Sequence, residues 1–445
     1  MNVRREFYKY VIPSMLAFAL SGVYAIADGF FVGNALGDSA LAAINIAYPI
    51  TALLQAAGTG IGMGGAIQYS ISLGAGDRRL GRQYFGVSCG ALMAAGILLA
   101  ILFLSASPIL LRFFGASGEI YGLALEYIRW ITAGALFQIL ATGLVPFIRN
   151  MDGALTAMAA MIAGFMTNIF LDYLLVWRLP WGMTGAAAAT VVGQTVTLLV
   201  CLAFFIVKKE MPVLSFGGAG LDLLKKILQV GLSPFGLTFS PNITLILVNK
   251  SAALVGGAAA VTCYAPISYI SAVVILLLQG VSDGSQPLLS LSCGEGKMDK
   301  TKAVRDLAYR FSALVSVICI VFLFLFRENA ALLFGASAQI TRDVAAALPI
   351  FLCGYLPICI SRVTIAYFYA TGENRRAYFL IYGEPLSLGL LLLILPPGAG
   401  IVGTWLSVPL SQLFAVCLSV FFLRSGKKSF RPVSPPGQGP GSLPR

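Results

Sequence analysis

The sequence contains no histidine, and only 11% of its 445 residues are charged. Soluble globular domains carry about twice that charged fraction, so the composition excludes an ordinary soluble protein. Histidine is the usual side chain that titrates near neutral pH. Without it, proton chemistry must rely on carboxyl groups whose proton affinity is raised by burial.

Other chemical signatures are missing as well. The eight cysteines occur singly, with no C-x-x-C spacing, and this pattern indicates small packing residues in apolar helices. The sequence has no metal-ligand, nucleophile–base or phosphate-loop motif, so a membrane-embedded enzyme has no support and no cofactor is expected.

Apolar residues dominate the chain. They make up 58% of it, and the mean hydropathy is +0.88. Apolar stretches of roughly 20 residues, long enough to cross a ~30 Å hydrocarbon layer, recur from end to end and predict an all-α integral membrane protein. The twelve predicted transmembrane helices cover residues 10–33, 41–72, 84–107, 120–148, 154–177, 183–207, 229–250, 260–291, 308–326, 344–370, 377–396 and 401–423.

Lysine and arginine are distributed unevenly between the two sides of this predicted bundle. About 23 of them, including Arg4, Arg5 and Lys9, fall on one side, against about five on the other. Because basic residues near helix ends stay cytoplasmic, both termini are predicted to be cytoplasmic, in the plasma membrane (the inner membrane) of a prokaryote. This distribution also accounts for the net charge of +12, so that charge is no sign of nucleic-acid binding.

The sequence repeats itself. Residues 114–117 read Phe-Gly-Ala-Ser, and residues 334–337, at an offset of 220, read the same. Each copy precedes the fourth span of its half, so the chain is predicted to be a duplication of two six-helix bundles around a central cleft. The predicted division is an N-terminal lobe at 1–207, a cytoplasmic linker at 208–228, a C-terminal lobe at 229–424 and a disordered cytoplasmic tail at 425–445.

Few acidic residues lie inside the predicted spans. An ionised acid is costly there, so each of them is a candidate functional residue unless a structural partner explains its position. Asp28 lies deep in the first span and Asp172 deep in the fifth. A spacing of four residues places Tyr24 on the same helix face as Asp28, and Asn168 on the same face as Asp172. Two carboxylates, an amide and a phenol form a candidate site for a proton or a small cation. The alternative is that both acids only cap or bridge helices.

The second half has no acid at the position equivalent to Asp172, where residues 386–390 are Leu-Ser-Leu-Gly-Leu. Ion coupling is therefore expected in the first half, while the second half shapes the substrate cavity. The candidate cavity residues are Gln279, Asp283, Arg362 and Glu384. Asp283 and Glu384 have local bridging as their alternative role, and Arg362 either faces the cavity or pairs with one of these acids.

Several motifs together resemble one transporter family. Asp28 follows Ile12-Pro13 and precedes a Phe-Val-Gly triplet at 31–33 and Ala-Leu-Ala-Ala at 40–43. Residues 149–153, 168–173 and 182–190 add a loop and a helix pair in the same order. The whole chain resembles the multidrug and toxic compound extrusion (MATE) family, in its DinF-like branch.

This resemblance implies two six-helix bundles that form a V-shaped cleft, working as a monomer. It also implies that Asp28, Asn168 and Asp172 bind the coupling ion, either a proton or sodium. Thr190, the carbonyl of Ala186, Tyr24 and Tyr127 would belong to the same network.

Two functional hypotheses follow. The first is a secondary antiporter that exports lipophilic organic cations in exchange for protons or sodium, holding its substrate by apolar contact, cation–π attraction and carboxylates. The second is a flippase or exporter of a lipid-linked or anionic metabolite. That function would favour more spans and a cavity rich in arginine and lysine, and Arg362 is the one residue that fits it.

Overall fold

A computed structural model of the chain describes residues 3–210, 218–332 and 337–425, and the regular elements in these ranges are helices. A π-helical segment, Asp172–Arg178, continues the sixth helix. The α-helices are α1 Val3–Leu36, α2 Asp38–Gly74, α3 Arg78–Phe113, α4 Gly118–Ala133, α5 Ala135–Asn150, α6 Ala154–Leu171, α7 Gly182–Lys208, α8 Gly218–Gly294, α9 Met298–Leu325, α10 Ala338–Leu352, α11 Tyr355–Ala370, α12 Asn374–Ile394 and α13 Pro396–Ser425.

The helices account for twelve membrane spans. Among the described residues, nine helices are long and apolar enough to cross a membrane, and the bent pairs α4–α5 (57°) and α10–α11 (44°) raise the number to eleven. The 77-residue α8 breaks at Gly257, whose φ of 64° suits glycine, and each of its two arms is long enough to span by itself. The twelve-span α-helical fold predicted from the sequence is thereby confirmed.

The two bent pairs occupy the fourth span of each half, which agrees with a duplicated architecture. We call α1–α7 the first half and α8–α13 the second half. Residues 218–228 of the expected linker belong to α8. Residues 211–217 of that linker, most of the second Phe-Gly-Ala-Ser copy and residues 426–445 of the expected tail lie outside the described residues. The division into lobes, linker and tail stays a prediction.

One buried apolar cluster joins the two halves. Phe7 of α1 and Ile67 of α2 pack in a single cluster with Leu288 of α8 and Phe368 of α11. All four residues lie near the helix ends that share a side with both chain termini, the predicted cytoplasmic side. The halves are therefore held together at that side of the membrane.

Backbones of the two halves touch directly at the same side. A Cβ atom added to Gly74 would lie 2.3 Å from the carbonyl oxygen of Leu291, and one added to Gly294 would lie 2.1 Å from that of Ile71. Only glycine permits this approach of α2 to α8. Toward the opposite side, Tyr48 of α2 and Tyr269 of α8 lie close enough to interact across the two halves, while their side chains remain 48% and 40% exposed.

Candidate ion site and substrate cleft

The first candidate site is built where α6 changes its helical form. Asn168 lies in the last turn of α6, and Asp172 begins the π-helical segment that follows. Both side chains are buried, with exposures of 2% and 0%. Because π-helical turns disturb the regular backbone pairing, they are frequent at functional sites.

Glycines bring α7 against this part of α6. A Cβ atom on Gly193 would lie 2.8 Å from the carbonyl oxygen of Gly164 and 3.0 Å from Cβ of Asn168. The close crossing places Nδ2 of Asn168 3.4 Å from Oγ1 of Thr190, and this hydroxyl donates to the carbonyl oxygen of Ala186 at 3.1 Å. Asn168, Thr190 and Ala186 thus form one short polar chain.

Three buried oxygen atoms in this site have no hydrogen-bond partner among the described residues. They are Oδ1 of Asn168 and both carboxyl oxygens of Asp172. Asp28 of α1 lies close enough to interact with Asp172, and within the described ranges neither acid forms an ion pair. Buried acceptors without partners are costly, so these oxygens are suited to receive a proton or a cation.

Two tyrosines complete the site. Tyr24 of α1 stacks on Phe165 of α6, with ring centroids 5.1 Å apart. Tyr24 and the buried Tyr127 of α4 both lie close enough to Thr190 and to the two acids to interact with them. The structure therefore brings together all seven residues that the sequence and the family resemblance assign to ion coupling.

The second candidate site gathers three of the four predicted cavity residues. Gln279 Nε2 donates to Oδ1 of Asp283 at 2.6 Å, and the Tyr369 hydroxyl donates to the same oxygen at 3.3 Å. Arg362 donates to Oε1 of Gln279 at 3.2 Å and to the carbonyl oxygen of Leu237 at 3.5 Å. Arg362 is thus linked to Asp283 through Gln279 rather than by a direct ion pair.

Glu384 stands apart from this cluster. Its carboxylate accepts a hydrogen bond from Gln412 of α13 and, among the described residues, forms no ion pair. Both side chains are buried between α12 and α13. The structure does not bring Glu384 together with Gln279, Asp283 and Arg362 in one hydrogen-bonded group.

Sequence reasoning missed the residue that pairs with Asp283. Nη1 of Arg149, at the end of α5, lies 4.0 Å from Oδ2 of Asp283, and both side chains are buried. The distribution of basic residues assigns Arg149 to a cytoplasmic loop. Its position directly after the apolar residues 144–148 was the one available signal that it lies within the protein.

Comparison with known protein families identifies the family to which this chain belongs. The family model MatE matches the chain twice, at residues 13–174 and 235–386, which together cover well over half of it. The chain belongs to the MatE family. The two matches fall one in each half of the structure, as expected for duplicated bundles.

Individual MatE relatives match nearly the whole chain. The multidrug export protein MepA of Staphylococcus saprophyticus is 24% identical over 429 residues, which cover 95% of this chain and 94% of that protein. MepA of Staphylococcus haemolyticus is 23% identical over 433 residues, with 95% and 94% covered.

Solved structures agree with this assignment. A multidrug resistance MATE transporter of the MOP superfamily, described in an outward-facing conformation, matches with a TM-score of 0.90 and 25% identity, with 96% of each chain covered. A MOP superfamily transporter from Pyrococcus furiosus, described as having a binding pocket of reversed polarity, matches with a TM-score of 0.88, 25% identity and the same coverage. The protein is therefore a multi-pass membrane transporter of the MATE multidrug efflux family and not an enzyme.

Proposed function

We propose that this transporter is a secondary antiporter that exports lipophilic organic cations in exchange for protons or sodium. The observation that carries the proposal is the pair of acids in the first half, Asp28 and Asp172. They lie next to each other without a cationic partner in the described residues, and the oxygens of Asp172 accept no hydrogen bond there.

Two neighbouring carboxylates in a dry site repel each other, and this repulsion gives the site its affinity for a positive charge. A proton would bind to Asp172 or Asp28 and leave the other acid charged. Sodium would be held by oxygens of Asp28, Asn168 and Asp172, a donor set that suits a hard cation. Either ion lowers the cost of closing the site to water, which links ion binding to the opening and closing of the cleft.

Organic cations fit the same half of the cleft. The exposed rings of Tyr48 and Tyr173 and the half-buried ring of Tyr24 offer π faces, and the two acids offer negative charge. The MepA relatives are named multidrug exporters, which supports small organic compounds as the substrates here. We further propose that the chain works as a monomer in the cytoplasmic membrane of a prokaryote, with both termini inside.

One observation favours a second function, the export of an anionic or lipid-linked metabolite. Arg149 and Arg362 lie near the single acid Asp283, so this group carries an excess positive charge. A structurally similar transporter from Pyrococcus furiosus is described as having a pocket of reversed polarity and a different function.

Transport in reconstituted liposomes tests the proposal. We expect a fluorescent lipophilic cation to move when a pH gradient or a sodium gradient is applied, and the gradient that works identifies the coupling ion. Asp172→Asn should lose this gradient-driven transport, while Asp222→Asn, a change to an exposed acid of α8, should retain it. Transport of anionic probes alone, unaffected by Asp172→Asn, would favour the second function.

A further inference from the structure

A buried polar contact joins the two halves toward the predicted cytoplasmic side of the membrane. Consecutive residues at the end of α5, Arg149 and Asn150, meet Asp283 and Gln286, which are one turn apart on α8. Ser70 of α2 joins the contact by donating to Oδ1 of Asn150 at 2.5 Å. We call these five residues the interlobe latch.

The amide pair sets the geometry of the latch. Asn150 Nδ2 donates to Oε1 of Gln286 at 3.0 Å, and Gln286 Nε2 donates back to Oδ1 of Asn150 at 3.2 Å. Gln286 also donates to the Ser290 hydroxyl at 2.9 Å. A reciprocal pair of buried amides exists in only one relative position of the two helices, so it is broken as a unit when the halves separate.

The charged pair in the latch is less well satisfied. Arg149 and Asp283 approach only to 4.0 Å, and Nε and Nη1 of Arg149 have no hydrogen-bond partner among the described residues. Beyond Asp283, the guanidinium faces the ring of Phe18 at 5.8 Å. Asp283 is better supported, since Gln279 and Tyr369 both donate to it. Loss of Asp283 would therefore leave the charge of Arg149 without compensation, whereas loss of Arg149 would leave Asp283 with two hydrogen-bond donors.

Close backbone contacts between the two halves lie beside the latch. A Cβ atom on Gly284 would lie 2.7 Å from Cα of Val11, and one on Gly280 would lie 2.6 Å from Cα of Met15. These glycines flank Asp283 on α8 and let α1 lie directly against it. Opening this side must separate the helices here and expose Arg149 and Asp283 to water.

We propose that the interlobe latch holds the predicted cytoplasmic side closed, and that Asp283 serves this closure instead of binding the transported cation. Hydration of the incompletely paired Arg149 offsets part of the cost of breaking the latch, so the closed state stays reversible. This inference rests on the proposed transport function, since a latch has a role only if the protein opens alternately to the two sides of the membrane.

The test compares hydrogen exchange of the full-length protein in lipid nanodiscs, without substrate or ion gradient. We expect Asp283→Asn to raise exchange about tenfold in peptides covering residues 64–74 and 288–294, because it leaves a buried arginine without its counter-charge. Arg149→Gln should raise exchange less, since Asp283 keeps its two hydrogen-bond donors.

The double variant Arg149→Gln with Asp283→Asn gives the decisive comparison. It removes the uncompensated charge, so its exchange should fall below that of Asp283→Asn alone, toward the wild-type rate. Asp299→Asn, which breaks an exposed 3.9 Å pair with Lys302 inside α9, is the matched control and should change nothing at these peptides.

Two results would overturn the latch proposal. One is that Asp283→Asn exchanges hydrogen at the wild-type rate, and the other is that the double variant exchanges at least as fast as Asp283→Asn. Neither result depends on which ion or substrate is transported. A failure of the antiport proposal would instead appear as absent gradient-driven transport with these exchange patterns intact.

Discussion

Asp172 in the first half and Asp283 in the second are both buried acids within predicted membrane spans, yet the groups that surround them differ. Asp172 has another acid beside it and no hydrogen-bond donor to its oxygens in the described residues. Asp283 has an arginine beside it and donors from Gln279 and Tyr369. The comparison teaches that burial alone does not assign a role to an intramembrane acid, because its partners decide whether it can exchange an ion.

A chain built by duplication has thus placed different chemistry in its two halves. An acid whose charge is already compensated gains little from a proton or sodium, whereas an uncompensated acid gains much. We therefore propose ion exchange at Asp172 in the first half, and closure through the contact that Asp283 of the second half makes with Arg149 of the first.

The largest expected effect is a difference in proton release between variants of Asp172 and variants of Asp283. If protons are the coupling ion, adding an organic cation to the purified protein in weakly buffered detergent should release protons, because cation and proton compete for Asp28 and Asp172. Asp172→Asn should abolish this release, while Asp283→Asn should keep it, as a pH-indicator dye would record. Loss of release in both variants, or in Asp283→Asn alone, would contradict the division of roles.

Much of the first site was predictable from sequence, and little of the second was. An acid inside an apolar span is costly, which identifies Asp172 from sequence alone. The four-residue spacing then places Asn168 on the same helix face without any knowledge of the tertiary structure. Tyr127, Thr190 and Ala186 were assigned to the ion site only through the family resemblance. Contacts between two helices leave no periodic pattern in the sequence of either helix.

Arg149 shows why the rest could not be predicted. A basic residue at the end of an apolar span satisfies the rule for cytoplasmic loops whether its side chain points to water or into the protein. Its partner Asp283 lies 134 residues further along the chain, and only the packing of α5 against α8 brings them together. The twelve spans, by contrast, depend on local hydropathy and were predicted correctly.

The next effect concerns the packing that builds the first site. Gly193→Ala should lower the free energy of unfolding by about 1–3 kcal/mol, because its new methyl group would collide with the carbonyl oxygen of Gly164 and with Asn168. Gly90→Ala is the matched control in α3, since no atom lies within 4 Å of its added methyl group. Thermal unfolding in detergent measures both, and equal melting temperatures for the two variants would contradict the close crossing of α6 and α7.

A smaller effect is expected at Thr190. Thr190→Val keeps the shape of the side chain but removes the oxygen that accepts from Asn168, so the amide loses its orientation. We expect about a tenfold weaker apparent affinity for the coupling ion, the size of one buried hydrogen bond. The measurement is the ion concentration that gives half-maximal transport, and Thr190→Ser should restore it. If Thr190→Val matches the wild type, Thr190 lies outside the coupling network.

The smallest effect extends the comparison to an acid at the surface. Asp152, in the loop between α5 and α6, accepts from Lys9 Nζ at 2.6 Å and from the Tyr10 hydroxyl at 2.8 Å. Partial burial by itself raises the pKa of Asp152, but the hydrogen bonds from Lys9 and Tyr10 outweigh burial and hold this pKa below its ordinary value.

A lowered folded-state pKa means that the folded protein binds this proton less readily than the unfolded chain does. The stability that Asp152 contributes is therefore present above its ordinary pKa and is lost as the pH falls through the lowered value. Asp152→Asn should reduce the acid sensitivity of the melting temperature slightly and cost no more than about 1 kcal/mol near neutral pH, because exposed ion pairs contribute little. Asparagine tolerates the positive φ of 63° at this position, so the variant changes charge without adding backbone strain. A loss of stability as large as that of Gly193→Ala would mean that this surface pair, too, helps to hold the transporter together, and that exposure is a poor guide to the role of its acids.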